Sequence, residues 1–294
     1  MYAGMHTYSF RKKIKAFPEY DIYNVLDETA EMGFKGVELM IGNPAKDPWA
    51  ESGMPDFKPS TVKKATEYAR RRGVKPLSYS TFNDFAAKDD DVFERHVQFI
   101  LDWIEFAADN GVPNLRFLTG YYREGEDPKW KEERTLQGIE RIVPAALEKK
   151  VNLSTENHNS IFFSADDLLM LIEKFGNPPI TGCPDPSNWA KGCLSLDPSV
   201  DREPIYENLK KLAPHATQSH LKLKGIDESG EGFIGYDLKR LLRVYRDAGY
   251  RGALCFESVV YGKDEEGDIT EILPRAREVL EKAITEVLRE KPDA

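Results

Sequence analysis

The feature that most restricts this chain is an alternation repeated eight times. A short run rich in β-forming residues gives way each time to a longer segment whose apolar residues recur at three- and four-residue spacing. The runs expected to be strands are Met5–Phe10, Gly36–Ile41, Pro76–Thr81, Asn114–Gly120, Val151–His158, Ile180–Pro184, Thr217–Lys224 and Gly252–Ser258.

Helix boundaries can be read between them. Asp21 is placed to cap a helix carrying Val25, Leu26 and Ala30 before Gly33, and Ser164 to cap one carrying Leu168, Leu169 and Ile172 before Gly176. Gly33, Gly73, Gly111 and Gly249 each stand between a helix and the next strand. A strict βα series implies parallel strands joined by right-handed crossovers, in an open doubly wound sheet or a closed barrel. Eight repeats favour closure, so the fold expected is α/β, a single (β/α)8 TIM barrel over residues 1–294 as one catalytic domain. The long segments Asn43–Pro59, Tyr121–Lys131 and Lys224–Gly235 all follow strands, at the barrel end that carries working loops.

Composition removes several function classes. Net charge is −9 and the basic residues are dispersed, which disfavours a phosphate backbone, so no nucleic-acid partner is expected. There is neither a G-x-G-x-x-G turn after the first strand nor a Walker-type loop. No run approaches the roughly 18 apolar residues of a membrane span, and Met1–Phe17 lacks the apolar stretch of a secretion signal. Cys183, Cys193 and Cys255 show no paired spacing. A soluble, cytoplasmic protein without a membrane partner is the expectation.

The last four strands share a further property. They end or begin in Ser154-Thr155-Glu156-Asn157-His158, Cys183-Pro184-Asp185, Ser219-His220-Leu221-Lys222 and Cys255-Phe256-Glu257, each supplying an ionisable group. Two-residue alternation puts Ser154, Cys183, Gln218 and Cys255 one step below Glu156, Asp185, His220 and Glu257 on the same face. Three carboxylates and an imidazole form a hard, oxygen-rich set suited to Mn²⁺, Mg²⁺ or Co²⁺. Without a cation, burying them together would cost several kcal/mol per ion.

These motifs, with His6-Thr7-Tyr8-Ser9, Gly36-Val37-Glu38-Leu39, Asp185-Pro186-Ser187-Asn188, Gly230-Glu231-Gly232 and Gly249-Tyr250-Arg251-Gly252, resemble in their order the xylose isomerase-like superfamily of sugar isomerases, epimerases and inosose dehydratases. The resemblance spans nearly the whole chain. It implies one divalent metal ion, Mn²⁺ foremost with Co²⁺ or Mg²⁺ as alternatives, held by Glu156, Asp185, His220 and Glu257. It also implies that Glu156 and Glu257 are the catalytic acid/base pair beside a substrate carbonyl, and that the protein is a dimer or tetramer.

The activity this implies is a metal-dependent isomerase or epimerase acting on a small carbohydrate or polyol. The alternative is a lyase that, at the same centre, dehydrates an inosose or eliminates a group β to the carbonyl of an oxidised (keto) glycoside. Ketose 3-epimerases of the superfamily usually carry an arginine shortly after the strand-seven histidine, whereas this chain has Lys222, Lys224, Gly225 and Ile226. Its His-x-Lys pattern looks more like the inosose dehydratase and sugar-phosphate-isomerase-like branches.

The candidate substrate contacts are His158, Lys222, Arg116 and His6. His158 can touch substrate or buttress Glu156, and Lys222 can hold a substrate oxygen or pair with Glu257. For Arg116 and His6 a core salt bridge or buried hydrogen bond is the commoner role. Trp49, Phe82, Tyr121 and Tyr122 are candidates for an apolar wall.

Overall fold

The computed structural model describes residues 1–42, 58–158, 161–259 and 269–290. Trp49 and most of the Asn43–Pro59 segment lie outside these residues. The strands are β1 (Tyr2–His6), β2 (Gly36–Gly42), β3 (Lys75–Thr81), β4 (Asn114–Phe117), β5 (Asn152–Glu156), β6 (Ile180–Cys183), β7 (Ser219–Leu223) and β8 (Ala253–Val259). All their pairings are parallel, in the order β6-β5-β4-β3-β2-β1-β8-β7. The seam between β6 and β7 is drawn together by a Gly182–Ala216 bridge and by the amides of Thr217 and His220, which donate to Gly182 and Pro184 carbonyls at 3.1 and 3.0 Å. This is the expected (β/α)8 barrel.

The helices are α1 (Arg11–Ala16), α2 (Ile22–Glu31), α3 (Pro59–Arg71), α4 (Asp90–Asp109), α5 (Pro128–Lys149), α6 (Ala165–Phe175), α7 (Glu203–Leu212), α8 (Leu238–Asp247) and α9 (Ile269–Arg289). Neighbours along the chain pack side by side outside the strands, as in α4 on α5, α6 on α7 and α8 on α9. Asp21 and Ser164 cap α2 and α6 with full capping boxes, as their spacing indicated. Among the described residues no helix is long and apolar enough to cross a membrane.

Alternation along the strands sorts their side chains. Ala3, Met5, Val37, Leu39, Leu115, Leu153, Leu221, Leu254 and Phe256 join the main core with the helices. The opposite parity turns inward. At one level it is narrow: a Cβ on Gly4 would lie 2.7 Å from Cys255 Sγ, and one on Gly36 would lie 2.6 Å from Leu77 Cδ1. Leu77, Ala253, Cys255 and Tyr2 form a small apolar cluster there. Toward the strand C-termini the inward parity becomes polar, with His6, Glu38, Ser80, Arg116, Ser154 and Gln218 all buried.

Several strands stop earlier than the pattern of β-formers suggested, each for a visible reason. β1 ends at His6 because its Nδ1 accepts the Tyr8 amide at 3.0 Å and caps a 3-10 turn over Thr7–Phe10. That turn is tied to the two strands flanking β1, since Thr7 Oγ1 accepts the Met40 amide of β2 at 2.9 Å and Ser9 Oγ donates to the Phe256 carbonyl of β8 at 3.0 Å. β4 ends at Phe117 because the Asn83 side chain takes both ladder groups of Leu118, at 2.9 Å for its amide and 2.6 Å for its carbonyl. β5 ends at Glu156, where Asn157 uses its side chain to bond the Asp185 backbone in both directions, at 2.7 and 2.9 Å.

Candidate metal and active site

Each of the four strand-end groups is positioned by its own backbone. Glu156 is the last residue of β5 and His220 the second of β7, while Glu257 lies near the end of β8. Asp185 follows β6 and caps a 3-10 turn over Pro186–Trp189. Its Oδ1 accepts the Ser187 amide at 3.0 Å and the Ser187 hydroxyl at 2.7 Å, which leaves Oδ2 directed elsewhere. One ligand atom from each of Glu156, Asp185, His220 and Glu257 lies within 4.8 Å of the others, and all four residues are buried.

The charge balance of this cluster is unfavourable as it stands. Glu38, Glu156, Asp185 and Glu257 are 3% exposed or less, and among the described residues the permanent cations buried with them are Arg116 and Lys222. Burial disfavours a charged His220, but Cys183, Glu38 and Glu156 hold its ring well above the usual imidazole range. Without an ion it therefore adds a third positive charge and one negative charge is left over; a divalent ion taking the place of the His220 proton would balance the set. Three potential ligand atoms agree: Glu156 Oε2, Glu257 Oε2 and His220 Nδ1 are buried without a hydrogen-bond partner among the described residues. The residues present therefore fit a divalent cation.

The carboxylates respond to this setting. Burial alone would raise Glu156, but the imidazole of His220 and the guanidinium of Arg116, 3.5 Å away, hold it well below the usual carboxylate range. Burial likewise works against ionised Glu257, and the Lys222 ammonium at 3.6 Å together with His220 and His6 more than offsets it. Both are thus ionised bases at neutral pH.

The remaining candidates divide into two groups. Lys222 donates to Asp185 Oδ2 at 2.5 Å and to Asn188 Oδ1 at 2.8 Å, besides facing Glu257. His158 folds back in a turn, its amide donating to the Glu156 carbonyl at 2.9 Å. Both line a cavity of about 300 Å³ that adjoins the carboxylates, together with Ser187, Asn188 and the Gly192–Ser195 segment. That volume lies at the lower end of small-molecule sites.

His6 and Arg116 are not among the residues lining that cavity. Arg116 is 1% exposed, and it donates to Ser80 Oγ at 3.1 Å and to the Thr81 carbonyl at 3.2 Å. His6 is fully buried with its ring edge-on to His220, centroids 5.0 Å apart, and burial lowers it to about 4. Phe82 and Tyr121 pack with Met40, Leu118 and Tyr8 at the ends of the first four strands, opposite the ionisable half of the rim. Tyr122 is largely exposed and bonds Glu132.

One buried residue received no role from the sequence. Glu38, in the middle of β2, accepts from Ser80 Oγ and from Gln218 Nε2 at 3.3 Å on one oxygen, and lies 2.9 Å from His220 Nε2 on the other. A carboxylate in a strand whose seven residues are all buried has to be paired inside, and that was the available signal.

Family comparison settles the class of barrel. The model of the xylose isomerase-like TIM barrel family matches residues 26–283. The chain belongs to that family. Comparison with curated proteins gives no match. Among solved structures, the chain resembles an L-ribulose 3-epimerase at 17% identity, with a TM-score of 0.73 and 100% of both chains covered. A D-psicose 3-epimerase from Clostridium cellulolyticum H10 aligns at 14% identity and TM-score 0.67, over 98% of this chain and 97% of that one. A 3-keto-D-glucoside 4-epimerase from E. coli aligns at 14% identity and TM-score 0.66, over 97% and 99%. At such identities these likenesses speak for the shared barrel.

Within this xylose isomerase-like barrel, the ionisable rim and the cavity stand at the C-terminal ends of the strands, where barrels of this architecture place their chemistry. Two ionised glutamates converge on one cation-fitting point, with a lysine and a histidine on the cavity wall. Such a set can hold an oxygen-bearing ligand and move a proton on it.

Proposed function

We propose that the chain is a divalent-metal-dependent isomerase or epimerase acting on a small carbohydrate or polyol by proton transfer next to a carbonyl, with residues 1–294 as one catalytic domain. The observation that carries this reading is the convergence of Glu156, Asp185, His220 and Glu257 within 4.8 Å beside a cavity of about 300 Å³. Membership of the family and the likeness to barrels described as sugar epimerases agree with it.

In this reading Glu156, Asp185, His220 and Glu257 hold the ion, Mn²⁺ being the first candidate. A bound divalent ion polarises a carbonyl or hydroxyl oxygen and acidifies the adjacent C–H. Glu156 and Glu257 are the acid/base pair: one removes the proton from the substrate carbon and the other returns it. Return to the opposite face inverts the centre, and return to a neighbouring carbon isomerises the sugar. Lys222 holds Asp185 and Glu257 in place and, with His158, offers hydrogen bonds to substrate hydroxyls from the cavity wall. Arg116 and His6 support the carboxylates from within the barrel.

The test is incubation of Mn²⁺-loaded protein with ketoses and 3-keto glycosides in D₂O, followed by mass spectrometry and NMR. The expected product keeps the elemental composition of its substrate and gains one carbon-bound deuterium. Loss of water instead would assign the dehydratase chemistry to the same centre, and turnover without carbon-bound deuterium would contradict a solvent-exchanging acid/base pair.

A further inference from the structure

His220 has two ring nitrogens, and the structure treats them differently. Nε2 lies 2.9 Å from Glu38 Oε2, while Nδ1 faces Glu156 Oε1 at 3.5 Å and has no hydrogen-bond partner among the described residues. An ionised carboxylate accepts but cannot donate, so the contact with Glu38 requires the ring proton on Nε2. Nδ1 is then the nitrogen left to bind a cation beside the carboxylates.

Glu38 is itself fixed. It is fully buried, its Oε1 accepts from Ser80 Oγ and Gln218 Nε2, and His6 Nε2 and Arg116 Nε lie 3.7 and 3.9 Å from the same oxygen. His6 is oriented in turn by the Tyr8 amide on its Nδ1, which leaves its Nε2–H to donate to Ser80 Oγ at 3.2 Å. The chain of contacts thus runs from a backbone amide through His6 and Ser80 to Glu38, and ends at His220.

We infer that Glu38 is a positioning residue of the proposed metal centre, setting the tautomer and ring orientation of His220 so that Nδ1 is the metal-binding nitrogen. The inference rests on the metal-centre reading above. A carboxylate hydrogen-bonded to the far nitrogen of a ligating histidine locks the tautomer and makes the ring a stronger donor, and loss of such a partner typically weakens metal binding about 10–100-fold. His6, Glu38 and His220 also lie close enough together to form a ligand group of their own. Here, however, the Glu38–His220 contact has the length of a direct hydrogen bond and His6 Nδ1 is taken by the backbone, so the three act as support for one site.

The experiment is Mn²⁺ titration calorimetry on the wild type, Glu38→Ala and Glu38→Gln, each first shown to be folded by circular dichroism. The wild type is expected to bind one ion per chain, and Glu38→Ala to bind it about 10–100-fold more weakly. Glu38→Gln keeps an acceptor oxygen for the His220 N–H and is expected to recover most of that loss. Equal affinity in Glu38→Ala and wild type would overturn the role of Glu38, as would a Glu38→Gln variant no better than Glu38→Ala, or two ions per chain. A wild type that binds no Mn²⁺ would instead remove the metal-centre reading on which the inference stands.

Should Glu38→Ala not fold, ¹⁵N–¹H NMR of the wild type labelled at its five histidines and loaded with Mg²⁺ decides the point. A proton on Nε2 of His220 is the expected result, and a proton on Nδ1 overturns the inference.

Discussion

Glu257→Gln, which keeps the side-chain volume and removes the charge, is expected to remain folded and to lose about 10²- to 10⁴-fold in turnover at saturating Mn²⁺. Glu156→Gln should behave alike. The reasoning is that both carboxylates are held ionised against their burial, Glu257 by Lys222 with His220 and His6, and Glu156 by His220 and Arg116, and an amide can neither take nor return a proton. Because the acid and the base act on one substrate carbon, the double variant should be little worse than either single one. Exchange of the substrate C–H with D₂O is the measurement that separates them: a variant that keeps one base can retain slow exchange without completing turnover. Near-normal turnover in both single variants would remove the two glutamates from the chemistry.

Removal of the metal should have the second large effect. Among the described residues four buried carboxylates face Arg116, Lys222 and the His220 ring, so the chelator-stripped protein carries uncompensated negative charge in its interior. Mn²⁺ at a hundred times its dissociation constant adds about 2.7 kcal/mol to stability by mass action. For a chain of this length that corresponds to a rise in melting temperature of about 4–5 °C. His220→Ala, which deletes one ligand and leaves the carboxylates, should lose most of the rise. Activity should vanish with the metal and return with Mn²⁺ or Co²⁺. Full activity and an unchanged melting temperature in metal-free protein would contradict this.

Much of the candidate site could be read in the sequence because its members occupy equivalent places in a repeat. Glu156, Asp185, His220 and Glu257 each stand at or beside a strand of the βα series, one alternation step above a small or modest residue. What sequence periodicity cannot supply is contact across the closed barrel. Glu38 meets His220 over 182 residues of chain, and its neighbours Val37 and Leu39 make the strand read as an ordinary apolar run.

The same limit explains the strand ends. Thr7–Phe10 and Leu118–Gly120 continue the β-forming pattern, but the side chains of His6 and Asn83 take over the backbone groups that a ladder would need. Lys222 shows both sides of the matter. Its place beside His220 made it a candidate, whereas its pairing with Asp185 as well as Glu257 depended on how β6 and β8 flank β7.

The central claim is that the four strand-end residues hold one divalent ion, and anomalous diffraction from crystals grown with Mn²⁺ tests it most directly. The predicted result is a single manganese peak per chain, bounded by carboxylate oxygens of Glu156, Asp185 and Glu257 and by Nδ1 of His220. A fully bound crystal whose manganese lies elsewhere, or a crystal with no peak among these residues, would contradict it.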